Sequence, residues 1–143
     1  MLFRSQRGKG PGEFNLPHTI ATDAKGNVYV GDRSNNRIQV FDSDGTYLKE
    51  FTGIGAPWAI CITPGPDQVL YTSDSVQGRI YKLDLNGKIL GVFGKAGKQA
   101  GQFGWVHEIA CPSENELYVA ELLNWRVQKL ILHPPKRDSA SIR

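Results

Sequence analysis

Two histidines stand where residue type and setting could support chemistry. His18 lies in Pro17-His18-Thr19-Ile20 and His107 in Val106-His107-Glu108-Ile109, at the same point of a repeated unit. Neutral imidazole is a good zinc ligand, and zinc takes three or four N, O or S donors. One chain offers two such histidines, so further donors must come from elsewhere. Arg33 follows Asp32 directly and breaks the repeat, since Ser75 and Leu122 stand at the matching points. That makes it the candidate for orienting an anionic group. Trp58 fills the histidine position of the middle unit, and Trp105 lies two residues before His107. Both could stack on a ligand. The plainer reading has the histidines bonding backbone or water and the tryptophans simply buried. Nothing resembles a phosphate-binding loop, a Ser-His-Asp order or a cysteine-based metal site.

The elements that must position these residues show in an internal repeat. Val28-Tyr29-Val30-Gly31-Asp32 aligns with Leu70-Tyr71-Thr72-Ser73-Asp74 and with Leu117-Tyr118-Val119-Ala120-Glu121. Five residues after each acid comes Arg37, Arg79 or Arg126, followed by a short β-type run. The offsets between the arginines are 42 and 47 residues. In the first unit, strand a covers 19–22, b 27–31, c 37–41 and d 47–51, with turns at Ala24-Lys25-Gly26-Asn27 and Ser43-Asp44-Gly45. No segment holds an apolar period of 3.6, so no helix is predicted. Four antiparallel strands recurring at this spacing predict an all-β fold of three four-stranded β-propeller blades, about 14–51, 56–93 and 103–132.

Two linkers repeat as well. Arg7-Gly8-Lys9-Gly10-Pro11-Gly12-Glu13-Phe14 aligns without a gap on Ala96-Gly97-Lys98-Gln99-Ala100-Gly101-Gln102-Phe103, at an offset of 89. This register lays Met1-Leu2-Phe3-Arg4 over strand d of the second blade, whereas the third blade runs into His133-Pro134-Pro135 with no strand d. Three blades cannot close a ring, and unpaired edges promote association. The expectation is a homodimer closing one six-bladed ring, with residues 1–4 completing the partner's third blade and 134–143 a flexible tail. The rival is that the chain is a piece of a longer product.

Residues that recur in every blade belong to the scaffold, because a catalytic group need not recur. Asp32, Asp74 and Glu121 with Arg37, Arg79 and Arg126 therefore read as turn caps and blade-to-blade ion pairs. Tyr29, Tyr71 and Tyr118, like Phe14 and Phe103, read as packing between blades. Trp125, in the b–c bend, is placed to contact a partner. Cys61 and Cys111 fall at different registers of strand a and read as buried free thiols.

The motif Leu16-Pro17-His18-Thr19-Ile20 and the run Asp32-Arg33-Ser34-Asn35-Asn36-Arg37-Ile38-Gln39 resemble the NHL-repeat family, over about residues 9–132. The resemblance implies a propeller, usually of about six blades, which serves as an enzyme, a sensor or an interaction platform. Among the family's enzymes the chain is most similar to peptidyl-α-hydroxyglycine α-amidating lyase. That similarity implies a channel zinc held by His18 and His107, Arg33 as an active-site arginine, and Glu108 near a structural calcium. The lyase's tyrosine has no counterpart, its positions being Ser34, Val76 and Leu123. The favoured function is therefore a scaffold that binds a ligand or protein at its channel mouth or top face, with Trp58, Trp105 and Glu108 as ligand contacts. The alternative is a metal-dependent lyase.

Composition fits this picture. The chain has 143 residues, 16 of them glycine and 8 proline, which suits a turn-rich β protein. A net charge of +3, without aromatics interleaved among the linker lysines, argues against a nucleic-acid partner. No apolar run reaches the ~20 residues of a membrane span and no signal-peptide pattern opens the chain, so the default compartment is the cytoplasm.

Overall fold

A computed structural model describes residues 6–132. The segments expected to be a donated strand (1–4) and a tail (134–143) lie outside the described residues. The first sheet contains β1 (Pro17–Thr22), β2 (Val28–Asp32), β3 (Arg37–Phe41) and β4 (Tyr47–Phe51), in that order. The second contains β5 (Pro57–Ile62), β6 (Val69–Asp74), β7 (Arg79–Asp84) and β8 (Ile89–Phe93). The third has β9 (Val106–Ser113), β10 (Glu116–Glu121) and β11 (Arg126–Ile131), with no fourth strand among the described residues. All pairings are antiparallel between sequence neighbours. The fold is thus all-β, built of three blade-like sheets. One turn of 3-10 helix, Arg33–Asn35, follows β2 where no helix was expected.

Burial explains the strand sequences. β3 is buried at every residue and β6 likewise, covered on both faces, so their polar members Arg37, Gln39, Thr72, Ser73 and Asp74 lie inside with the apolar ones. β11 alternates between half-buried and exposed, because only one face of the third sheet is covered.

The core consists of two layers, each between adjacent blades. Tyr29, Ile38, Val40 and Phe51 of the first blade meet Ile60, Leu70 and Leu83 of the second. Tyr71 and Ile80 of the second blade meet Val106, Ile109, Leu117 and Val119 of the third. The Tyr71 hydroxyl, its pKa pushed up to about 12 by burial and the nearby Glu114 carboxylate, donates to the Glu114 carbonyl across that boundary.

One expectation is corrected here. Cys61 and Cys111 are not free thiols but a disulfide linking β5 to β9, with Cα atoms 6.0 Å apart. Their different registers are what let them meet. Ala21 and Ile62, the matching positions one blade earlier, both pack into the layer between the first and second blades.

The acid–arginine pairs also differ from expectation: they act within a blade and tie it to its own incoming linker. Arg37 Nε lies 2.8 Å from Asp32 Oδ2, and the guanidinium donates to the carbonyls of Lys9, Gly10 and Glu13. Arg126 Nε lies 2.7 Å from Glu121 Oε1 and donates to the carbonyls of Lys98, Gln99 and Gln102. The two linkers share a parallel bridge, Arg7 to Phe14 in one and Ala96 to Phe103 in the other, as the 89-residue offset requires. The second blade departs from the pattern. Its incoming linker runs only from Thr52 to Ala56, and Arg79 is exposed with no ion pair to Asp74 among the described residues. Without the longer linker there are no carbonyls for that arginine to hold.

A pH dependence follows. Burial works to raise the Glu121 carboxyl, but hydrogen bonds from Arg126, the Gly104 N–H, Gln128 and Asn124 outweigh it and hold the pKa below the ordinary value of 4.5. Asp23 is likewise held below 3.8, burial being outweighed by Asn27, Tyr29 and Lys25. A depressed carboxylate stabilises the fold above its unfolded pKa, and that contribution is lost as pH falls through the folded pKa. Urea midpoints should therefore be flat above about pH 5 and fall steadily below about pH 4.5. Glu121→Gln should lower the midpoint at neutral pH and flatten the acid slope.

Candidate functional site

The sequence-predicted residues of the inner strands converge on one cluster. β1, β5 and β9 lie side by side at the inner margin of the three sheets, and His18, Trp58 and His107 each occupy the second position of their strand. The His18 and His107 ring centroids are 5.2 Å apart, edge to face. Trp58 lies 5.3 Å from His18, 5.9 Å from His107 and 5.4 Å from Trp105.

Local backbone chemistry sets these positions. Leu16 and Trp105, each two residues before its histidine, adopt left-handed φ values of 58° and 56°. This conformation is uncommon outside Gly, Asn and Asp and is strained for bulky residues. It is held by the bend after the second strand of the same blade: Arg33 N–H donates to Leu16 O at 3.2 Å, and Leu122 N–H to Trp105 O at 2.9 Å. The chain is thereby turned into the inner strand with its imidazole at the margin.

His18 Nδ1 lies 2.8 Å from the Trp58 carbonyl oxygen. A carbonyl can only accept, so Nδ1 carries the proton and neutral His18 keeps a lone pair on Nε2. Arg33, on the 3-10 turn, places Cζ 3.9 Å from the Trp58 ring centroid, a cation–π contact across the first blade boundary. No carboxylate pairs with Arg33 among the described residues. Trp58 is buried, and its Nε1–H has no hydrogen-bond partner among the described residues. Leaving such a donor unpaired costs about 1–3 kcal/mol.

Glu108 does not join the cluster. It follows His107 on β9, where the register against β10 shifts, and its carboxylate accepts the Ile109 N–H at 3.2 Å. For zinc, the described residues supply two imidazoles and place tryptophan at the third equivalent position. No group of three His, Cys, Asp or Glu side chains suited to a metal, calcium included, occurs among them. Two donors from one chain do not complete a zinc site. The sequence reading missed the stacking of Arg33 on Trp58, because their closeness arises across blades.

Residues 14–41 match the NHL repeat family. The match lies within the first blade. It carries both Arg33 and His18, so the repeat and the cluster share residues. The chain is 42% identical over 88 residues to NHL repeat-containing protein 3 of Mus musculus, covering 60% of this chain and 23% of that protein. It thus spans about a quarter of the length of that relative. Peptidyl-glycine alpha-amidating monooxygenase A of Xenopus laevis is 30% identical over 146 residues, covering 93% of this chain and 15% of its own length. Hydrazine synthase of Kuenenia stuttgartiensis superposes with a TM-score of 0.62 at 17% identity, over 82% of this chain and 32% of that one. This last likeness is one of fold, and it agrees with a propeller-like arrangement of the three sheets.

Proposed function

We propose that the chain is a ligand-binding part of an NHL-type propeller, taking a carboxylate-bearing ligand at its inner margin. The observation that carries this reading is the Arg33 guanidinium laid on Trp58 without an acidic partner among the described residues. A guanidinium stacked by its face keeps its N–H edges for a bidentate carboxylate. His18 Nε2 adds an acceptor, and the half-exposed Trp105 indole beside Trp58 offers apolar surface. The test is calorimetric titration with N-acetylated peptides bearing a free or an amidated C-terminus. The free acids should bind and the amides should not. Arg33→Ala should weaken binding at least tenfold, because a charged hydrogen bond is worth about 1.5–3 kcal/mol. The same substitution should change stability by no more than about 2 kcal/mol, the range of a partly desolvated cation–π contact. Equal binding of acids and amides would refute the reading.

The second reading, a metal-dependent lyase, is favoured by the approach of His18 to His107 and by the resemblance to the amidating enzymes. It requires donors beyond those two imidazoles. A zinc-induced rise in melting temperature that is lost in His107→Ala would support it.

The disulfide bears on location. Disulfides persist in oxidising compartments and are rare in the reducing cytosol. The Cys61–Cys111 bond therefore favours an exported or lumenal setting over the cytoplasmic default.

A further inference from the structure

We propose that a hollow at the boundary of the second and third blades takes a large apolar side chain from the same peptide whose carboxylate Arg33 holds. This inference rests on the carboxylate reading above and adds the residue class that the site selects. The hollow has a volume of about 220 Å³ and is walled by Val76, Trp105 and Leu123, by Ala96 and Lys98 of the linker between the two blades, and by the buried Phe103. Small-molecule sites commonly enclose ~300–1,000 Å³, so this one suits one or two side chains rather than a whole ligand.

Three of its walls are apolar and open to solvent: Val76 is 60% exposed, Leu123 53% and Trp105 38%. Every wall belongs to the second and third blades or to the linker joining them. Val76 stands on the middle blade, which is flanked on both sides, so its exposure is a property of the fold itself. The repeat shows that the hollow is particular to this boundary. At the boundary of the first and second blades, Ser34 stands at the register of Val76 and Ala56 at that of Trp105. The linker there covers residues 52–56, against 94–105 at the second boundary. Residues that recur serve the scaffold, whereas Val76 and Trp105 differ from these counterparts and gather apolar surface at one place.

The hollow is continuous with the carboxylate site. Arg33, Val76 and Leu123 stand on the equivalent bends after β2, β6 and β10, at one end of the three sheets. Trp105 lies 5.4 Å from Trp58, and the Arg33 Cζ lies 3.9 Å from the Trp58 ring. Two ring contacts therefore separate the guanidinium from the hollow, a span that two or three residues of extended peptide cover at ~3.3 Å each. Charge fits the same occupant, since neither Arg33 nor Lys98 pairs with a carboxylate among the described residues. The occupant is a C-terminal segment with a free carboxylate and a large apolar residue at the second or third position from it.

Calorimetric titration with N-acetylated tetrapeptides of glycine tests this, with a single leucine or alanine at the second or third position from the C-terminus, each as free acid and as amide. A leucine acid should bind about tenfold more tightly than its alanine counterpart, the scale of burying a leucine side chain. Val76→Ser and Leu123→Ser should each cut that preference at least threefold and leave the affinity for the alanine acid unchanged. Both side chains are exposed, so circular dichroism should show each variant folded, and either variant alone carries the test. Leucine and alanine acids of equal affinity, both still preferred over the amides, would overturn the hollow and leave the carboxylate reading standing. A leucine preference undiminished in the folded variants would do the same. Peptides bound equally as acids and amides, or not bound at all, would overturn both.

Discussion

Replacing Arg37 with alanine should destabilise the chain by about 3–5 kcal/mol, whereas the matching Arg79→Ala should change stability by less than about 0.5 kcal/mol. Arg37 and Asp32 are both buried, with the carboxylate wholly inaccessible. Removing the guanidinium takes away that carboxylate's counter-charge, leaving it only the neutral donors of Asn15, Asn35 and Gln39, and takes a donor from three linker carbonyls at once. A buried charge deprived of its partner is what makes such losses large. Arg37→Lys should restore only a fraction, because a single ammonium cannot reach the carboxylate and the carbonyls together. Arg79 is exposed and holds no carboxylate among the described residues. Urea unfolding of the three variants measures the contrast, and equal losses for Arg37→Ala and Arg79→Ala would show that the linker clamp is energetically idle.

Removing the disulfide should have an effect of similar size. The cysteines are 50 residues apart, and closing a loop of that length restricts the unfolded chain by up to about 4 kcal/mol in the chain-entropy estimate. Cys61→Ala with Cys111→Ala should therefore lower stability by about 2–4 kcal/mol, as should reductant on the native sequence. The bond joins the second blade to the third, so the loss should fall on that boundary. Hydrogen exchange should quicken in β9–β11 more than in β1–β4. A thiol assay on denatured, unreduced protein checks the premise, since it should detect no free thiol.

The repeat made much of the fold legible. Strands c and d of the first blade run over residues 37–41 and 47–51 in both the sequence reading and the structure, because Arg37 opens the strand and Asp44-Gly45 closes it into a hairpin. What stayed hidden lies between blades. The alignment places Cys61 and Cys111 at different registers, and only the step from one blade to the next shows that different registers are needed for contact. The same limit hid Arg33 on Trp58, since a spacing of 25 residues says nothing about a contact across two sheets. The arginines were read correctly as scaffold but with the wrong partners. Their carbonyl acceptors belong to linkers whose path depends on length, and the shortened linker at Thr52–Ala56 removes those acceptors from the second blade. Register alone put His18 and His107 at equivalent points of the inner strands; that their rings meet across the two sides of β5, at 5.2 Å, is seen only in the structure.

The proposed function turns on Arg33, laid on the Trp58 indole, taking a carboxylate at the inner margin. The direct measurement is the amide-region NMR spectrum of the Trp58 Nε1–H during titration with an N-acetylated peptide acid. The indole proton belongs to the buried ring on which Arg33 lies, so it should shift progressively as the carboxylate draws on the guanidinium, and the movement should vanish in Arg33→Ala. An indole resonance that stays fixed while Arg33 is intact, at peptide concentrations that saturate any binding seen by calorimetry, would contradict the account.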